Sequence, residues 1–344
     1  MPQYAFEDFR VGDALEPVGL TVDGEELLAF AREFHCFGAS PPCDDPAESA
    51  AALGGAPGWF MVSLLVRSRA DSLYSKSTIR GGVGMSKMHW LRPVRAGDRL
   101  TCFMAVRAAR RSRSMADIGL VTMEGSVVNG NGDLISTSVN TVMFGVRGAA
   151  AIPRSVEPPA GAAPRPVPAA ATPFVLPFME DLIPGRSWSL GSRTFDAAAI
   201  KAYARRYDPE PFHTDEDAAK KSFFGGLCAS GIQTALTWSG LSSRFHNAAR
   251  EQALREGVTR LPKVALHAGF RHLRWFKPVY AGDTVTYRAG IVRRRRCPRQ
   301  PGWGIVTLRA TGENQYGETV LEFFPTVVLE ARGDKGVTQG KSPR

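Results

Sequence analysis

WLRPVRAGDRLT, Trp90 to Thr101, is written again as WFKPVYAGDTVT, Trp275 to Thr286. Trp, Pro, Val, Ala, Gly, Asp and Thr recur in the same order at an offset of 275 − 90 = 185 residues. The offset persists downstream, where Gly119-Leu-Val-Thr answers to Gly304-Ile-Val-Thr, Asn129 to Asn314 and Gly132 to Gly317. Upstream it becomes 180 − 7 = 173: FEDFRVGD (Phe6 to Asp13) matches MEDLIPGR (Met179 to Arg186), and LLAFAREF (Leu27 to Phe34) matches IKAYARRY (Ile200 to Tyr207). The second copy therefore carries 185 − 173 = 12 extra residues between its helices and Trp275. A repeat well beyond the roughly 20 to 50 residues of a solenoid unit means two copies of a domain rather than an array.

Between the copies, Gly148 to Pro173 is nearly all Ala, Pro and Gly. Such a segment cannot bury enough surface to fold, and its prolines make it an extended spacer. The expected domains are 1–147 and 174–333, with 148–173 as linker and 334–344 as a flexible tail. Leu27, Phe30, Ala31 and Phe34 stand at i, i+3, i+4 and i+7, as do Ile200, Tyr203, Ala204 and Tyr207, so each copy opens with one apolar helix face behind a capping Thr21 or Asp23, or Thr194 or Asp196. A second, more apolar helix follows, WFMVSLLVRSRADSLY in copy one and GIQTALTWSGLSSRF in copy two. Beyond it lie only strands and turns, among them the hairpin signal NGNGD at Asn129 to Asp133. The fold class is α+β, a curved antiparallel sheet wrapped around one long helix in each copy, with the two sheets free to pair edge to edge.

The chain has 344 residues, 44% of them apolar and 22% charged, enough for two ordinary domains and not the composition of a disordered protein. No apolar run approaches the roughly 20 residues of a membrane span, and MPQYAFEDFR lacks the basic start and apolar core of a signal peptide, so a cytoplasmic protein with no membrane contact is expected. Cys36, Cys43, Cys102, Cys228 and Cys297 are odd in number and scattered, against a disulfide framework or metal site. The formal charge of +10 admits a nucleic-acid surface or a site for an anionic small molecule. Much of it lies in two clusters, Arg107 to Arg113 and Arg293 to Arg299, at equivalent places read as strand-to-strand loops. Nucleic-acid binding would want interleaved aromatic residues, and the second cluster offers only Trp303, so no nucleic-acid partner is expected.

YDPEPFHTDEDAA, Tyr207 to Ala219, puts two prolines between an acid and a histidine directly after a helix. By itself it reads as a polar helix stop or as a catalytic pair held by a stiff turn. Tyr203, Ala204, Asp208, Pro211, His213, Asp215 and Ala219, followed by Phe224, Gly225, Ala229 and Gly231, resemble the hydratase motif of the MaoC-like dehydratases, the (R)-specific enoyl-CoA hydratases. The PVxAGDxxT strand of both copies is also typical, and the resemblance covers about residues 5–330. It implies a double hot-dog fold, an acyl-CoA substrate of fatty acid metabolism, no cofactor beyond the coenzyme A that is part of the substrate, no metal, and a homodimer. Two departures stand out: Glu210 where the family has Asn, and Ser230 where it commonly has His.

Adding water to a 2-enoyl thioester needs one group to take a proton from water and one to protonate Cα, so a carboxylate and an imidazole must face one water. The resemblance assigns these roles to Asp208 and His213. Gly231, at the start of the second helix, would offer its N–H to the thioester oxygen, and the missing side chain would let the thioester approach. Ser230 and Glu210 are candidate substrate contacts, Ser230 equally a helix cap. Arg294 and Arg295 are candidate contacts to the coenzyme A phosphates. In copy one the offset of 173 places His35 and Ser40 at the positions of Asp208 and His213, so its site reads as degenerate and its role as completing the sheet and holding the acyl group. The function expected is reversible hydration of a 2-enoyl-CoA to a (3R)-hydroxyacyl-CoA. The alternatives are a branched dicarboxyl-CoA hydratase of the mesaconyl-CoA type, and a thioesterase or non-catalytic acyl-CoA binder. Hot-dog thioesterases generally place an acid on the long helix, and here none follows Gly231 until Glu251.

Overall fold

The computed structural model describes residues 3–34, 57–150, 152–153, 163–298 and 300–332. The first half runs β1 (Ala14–Thr21), α1 (Gly24–Glu33), α2 (Gly58–Ser72), β2 (Ile79–Trp90), β3 (Arg99–Arg111), β4 (Ile118–Asn129) and β5 (Leu134–Gly145). The second repeats it as β6 (Ser187–Thr194), α3 (Ala197–Tyr207), two short helices α4 (Pro211–Thr214) and α5 (Glu216–Lys221), α6 (Gly231–Arg255), and β7 (Val264–Trp275), β8 (Thr284–Arg296), β9 (Trp303–Glu313) and β10 (Thr319–Glu330). Of the two candidate caps in each copy the aspartates serve: Asp23 accepts from Glu26 N at 2.7 Å and Asp196 from Ala199 N at 2.8 Å. The central helix has 15 residues in the first half and 25 in the second, so 25 − 15 = 10 of the 12 extra residues lengthen α6.

All ten strands form one antiparallel sheet in the order β1-β3-β4-β5-β2-β7-β10-β9-β8-β6. The halves meet where β2 pairs with β7, from Gly84 opposite Arg274 to His89 opposite Gly269. On its other side β7 pairs with β10 through a bulge between Arg271 and Arg274, where His272 takes φ 53°, the single side-chain-bearing residue with positive φ among those described. Gly269 has φ +123°, and a Cβ built on it would lie 2.0 Å from Met88 O.

The long helices pack against this sheet, and the buried core runs through both halves. Trp59 of α2 stacks on Phe270 of β7 at 4.9 Å between ring centroids, Phe30 of α1 meets Tyr207 of α3 edge-on at 5.5 Å, and Ser63 Oγ is 2.9 Å from Tyr203 Oη. One packing device is used twice. The first residue of each long helix, Gly58 and Gly231, lies beneath the indole of Trp90 and Trp275 so closely that a Cβ would fall 2.3 and 2.6 Å from ring carbons.

The longest described stretch of the linker, 163–173, contains no helix or strand and lies against the second half through Arg165 N to Gln315 O (2.7 Å) and Ala171 N to Ser189 O (3.0 Å). Most of each arginine cluster lies in a strand rather than in the expected loop, although Arg113 lies in the turn after β3. Arg107 to Arg111 close β3 and Arg293 to Arg296 close β8, because the paired strands continue to within a turn of their reversal. No helix is long and apolar enough to cross a membrane, and no group of three or more His, Cys, Asp or Glu among the described residues is placed to hold a metal ion. His35, Ser40, Cys36, Cys43 and the 334–344 tail lie outside the described residues.

Gly269→Ala should lower the unfolding free energy by roughly 2–4 kcal/mol in urea denaturation, since it adds a clash with Met88 O to an unfavourable φ. Gly97→Ala, at φ +85° with nothing within 4 Å, isolates the backbone part and should cost only about 1 kcal/mol. Equal losses would show that close approach at the β2–β7 seam is not what selects glycine.

Candidate active site

The turn after α3 is fixed by its prolines. Asp208 precedes Pro209, which disfavours the helical region, and it ends α3 at φ −152°, ψ 65° with its N–H bonded to Ala204 O at 2.8 Å. Pro211 opens the single turn of α4, where a missing N–H costs nothing, and His213 N and Asp215 N close it onto Glu210 O and Pro211 O, each at 2.9 Å.

His213 is buried and Asp208 half-buried, and both are tied to the segment leading into α6. Ser230 Oγ donates to Asp208 Oδ2 at 2.6 Å, a short charge-assisted bond. His213 Nδ1 lies 2.7 Å from Cys228 O. A carbonyl only accepts, so Nδ1 carries a proton and the neutral ring leaves its lone pair on Nε2. That Nε2 lies 3.6 Å from Asp208 Oδ2, too far for a direct hydrogen bond and close enough for one oxygen to reach both. The arrangement can hold a water or hydroxyl between an acceptor nitrogen and a carboxylate.

Ser230 is fully buried, and its hydroxyl also caps α6 by accepting from Ile232 N at 3.3 Å. Its proton is committed to Asp208, so the expected substrate contact is replaced by positioning of the acid. Gly231 is the first residue of α6, and its N–H has no intrahelical acceptor. Its carbonyl accepts from Trp275 Nε1 at 2.9 Å. The lack of a side chain makes room for Trp275 rather than for a ligand, as the same pairing of Gly58 with Trp90 in the other half shows.

Glu210 is only 5% exposed and stands two residues from Asp208. Burial first, and then the Asp208 charge, push its carboxyl up to about 8. At neutral pH it is a carboxylic acid, able to donate a hydrogen bond as the amide of an Asn would.

Asp208, Glu210, His213, Ser230 and Gly231 all line one cavity of about 630 Å³. Its remaining walls come largely from the first half, from α2 and the inner face of β2, β3, β4 and β5. Arg110 and Arg113 of the first cluster also line it, both exposed and neither in an ion pair with a carboxylate among the described residues. Arg294 and Arg295 do not line it. Of the basic residues that line the cavity, Arg69, Arg110 and Arg113 belong to the first half, and Lys277, paired with Glu318, to the second. Sequence reasoning passed over Arg69, although it continues the row Val62, Leu65, Val66 at i+7 on the apolar face of α2. An arginine in register with an apolar stripe was the signal.

Residues 183–314 match the model of the MaoC like domain. The chain is similar to the mesaconyl-CoA hydratase of Cereibacter sphaeroides, 32% identical over 76 residues that make up 21% of this chain and 22% of that enzyme. Among solved structures, a putative MaoC domain protein dehydratase from Chloroflexus aurantiacus superposes with TM-score 0.72 at 18% identity, over 96% of this chain and 99% of that one. A conserved hypothetical protein of Mycobacterium tuberculosis with a double hotdog fold superposes with TM-score 0.66 at 15% identity, over 94% and 98%.

Glu210→Gln tests the buried acid. Between the ordinary glutamate range and about 8 the unfolded chain has released its proton and the folded chain has not, so Glu210's contribution to stability falls as pH rises through that window. Glutamine lacks this dependence. The variant should match the parent near pH 5 and exceed it by roughly 1–3 kcal/mol at pH 8 in urea denaturation. The same difference at both pH values would mean that Glu210 ionises as an ordinary surface acid does.

Proposed function

The chain belongs to the MaoC-like proteins of double hot-dog fold, and from that premise we propose that it catalyses the reversible hydration of a 2-enoyl thioester of coenzyme A to the (3R)-hydroxyacyl thioester. The observation that carries this reading is the convergence of Asp208 Oδ2 and His213 Nε2 at 3.6 Å, beside the unpaired N–H end of α6, in a cavity with apolar walls.

In the proposed reaction one water sits between Asp208 and His213. Nε2 takes a proton from it while the hydroxyl oxygen bonds to C3 of the enoyl group, and the nearby Asp208 carboxylate stabilises the imidazolium. The displaced π electrons move onto the thioester oxygen, which the Gly231 N–H and the positive end of the α6 dipole receive. C2 then takes the proton back from His213, the carbonyl re-forms, and water has been added with nothing left over. Ser230 fixes the orientation of Asp208, and the Nδ1 bond to Cys228 O keeps the lone pair on Nε2. No cofactor is required. Arg110 and Arg113 are the proposed contacts for the coenzyme A phosphates, in place of Arg294 and Arg295.

Loss of the conjugated thioester absorbance with crotonyl-, octenoyl-, mesaconyl- and aromatic enoyl-CoAs tests the activity, and the configuration at C3 of the product tests the stereochemistry. Asp208→Asn and His213→Ala should each lower kcat by roughly two to four orders of magnitude, and the double variant little further, because the two groups act on one water. A multiplicative loss in the double variant would separate their roles. Arg110→Ala with Arg113→Ala should raise KM by about tenfold with kcat nearly unchanged, since a remote phosphate contact is made equally in ground and transition states. Arg294→Ala with Arg295→Ala should do neither, and the reverse pattern would return the phosphates to the second cluster.

A further inference from the structure

The cavity holds a buried charge that the hydration chemistry does not use. Arg69 on α2 is only 3% exposed and lines the cavity. Its Nη1 and Nη2 donate to Glu16 O and Cys102 O through long bonds of 3.3 and 3.2 Å. Its Nε is buried without a partner, and no carboxylate pairs with the guanidinium among the described residues. Burying a cation with no anion and an unused donor is costly unless a ligand completes it.

The surroundings point the same way. Tyr74, also buried, lines the same cavity and interacts electrostatically with Arg69 and with both Asp208 and Glu210. Asn140 of β5, which favours the ionised form of the Tyr74 phenol, also lines the cavity and leaves its Oδ1 buried without a partner. Val62, Val66, Met85 and Val142 line the same cavity, whose rim carries the exposed Arg110 and Arg113. A ligand whose phosphates stay at that rim would reach Arg69 with its acyl chain. A purely aliphatic acyl group would strand Arg69 Nε and Asn140 Oδ1.

Resting on the reading of this cavity as an acyl-thioester site, we propose that the acyl group carries a second, distal carboxylate, and that Arg69 binds it, with Tyr74 and Asn140 beside it. A planar carboxylate suits the guanidinium fork and supplies the missing charge, which a hydroxyl or ketone would not. Arg69 is then the residue by which the first half selects the substrate.

The test uses saturated thioesters, which cannot be hydrated, so that it reads binding whether or not the hydration proposal holds. Succinyl-, adipoyl- and suberoyl-CoA are compared with butyryl-, hexanoyl- and octanoyl-CoA by calorimetric titration. The parent protein should bind at least one carboxylate-ended member about 10- to 100-fold tighter than its neutral partner, the range of a charge-assisted hydrogen bond. Arg69→Gln should erase that preference while leaving affinity for the neutral series within about threefold, and Arg69→Lys should retain part of it. Equal affinities in the parent, or a preference that survives in Arg69→Gln, would overturn the proposal and leave Arg69 as a bridge between β1 and β3. Should Arg69→Gln fail to fold, the comparison in the parent and in Arg69→Lys still decides. A clear preference without hydration of any enoyl-CoA would sink the hydratase reading and keep the carboxylate site. Hydration without a preference would do the opposite.

Discussion

The antiparallel pairing of β2 with β7 is the constraint on which the rest depends. It turns two five-stranded sheets into one, and it needs backbones closer than side chains allow, which is why Gly84 and Gly269 stand on either side of it. Because the strands are hydrogen-bonded across the seam, the second half's turn from Asp208 to His213 faces a cavity whose walls belong to the first. Neither half by itself supplies both the candidate proton-transfer groups and the walls that would hold a substrate. The buried core follows the same logic, passing from Trp59 to Phe270 and from Phe30 to Tyr207 without a break.

The two halves share packing and differ in chemistry. Gly58 under Trp90 and Gly231 under Trp275 are one device used twice, setting the start of each long helix against its sheet. The device is completed only in the second half, where Trp275 Nε1 donates to Gly231 O; Trp90 Nε1 is buried without a partner. The second half carries a chain of bonds from Asp208 to Ser230 and from His213 to Cys228, which ties the proline turn to the N-terminus of α6, and the matching segment of the first half lies outside the described residues. Backbone geometry persists in both copies because the fold needs it.

Glu210 and Asp208 illustrate how environment separates two neighbouring carboxyl groups. Two negative charges this close in a buried site oppose one another, and burial selects the more enclosed group, Glu210, to stay protonated up to about 8. Asp208 instead receives the Ser230 hydroxyl and faces the cavity beside an imidazole. Glu210 is thereby suited to donate a hydrogen bond, a property that comes from its surroundings rather than its residue type.

The duplication, the order of elements, the edge-to-edge sheet and the pairing of Asp208 with His213 were legible in the chain itself. They depend on local periodicity, on prolines that restrict their neighbours, and on a repeat that can be counted. The role of Ser230 was half legible: a cap can be read from its place before a helix, but the bond to Asp208 spans 22 residues and a turn. The arginines show the limit most clearly. Both clusters look alike and sit at equivalent positions, and only the tertiary structure decides that Arg110 and Arg113 overhang the cavity while Arg294 and Arg295 do not. The physical reason is that a sheet joined at its edges sets the end of β3 in the first half beside the candidate site of the second. Which cation meets which cavity is therefore a property of the pairing between β2 and β7, and no stretch of sequence contains it.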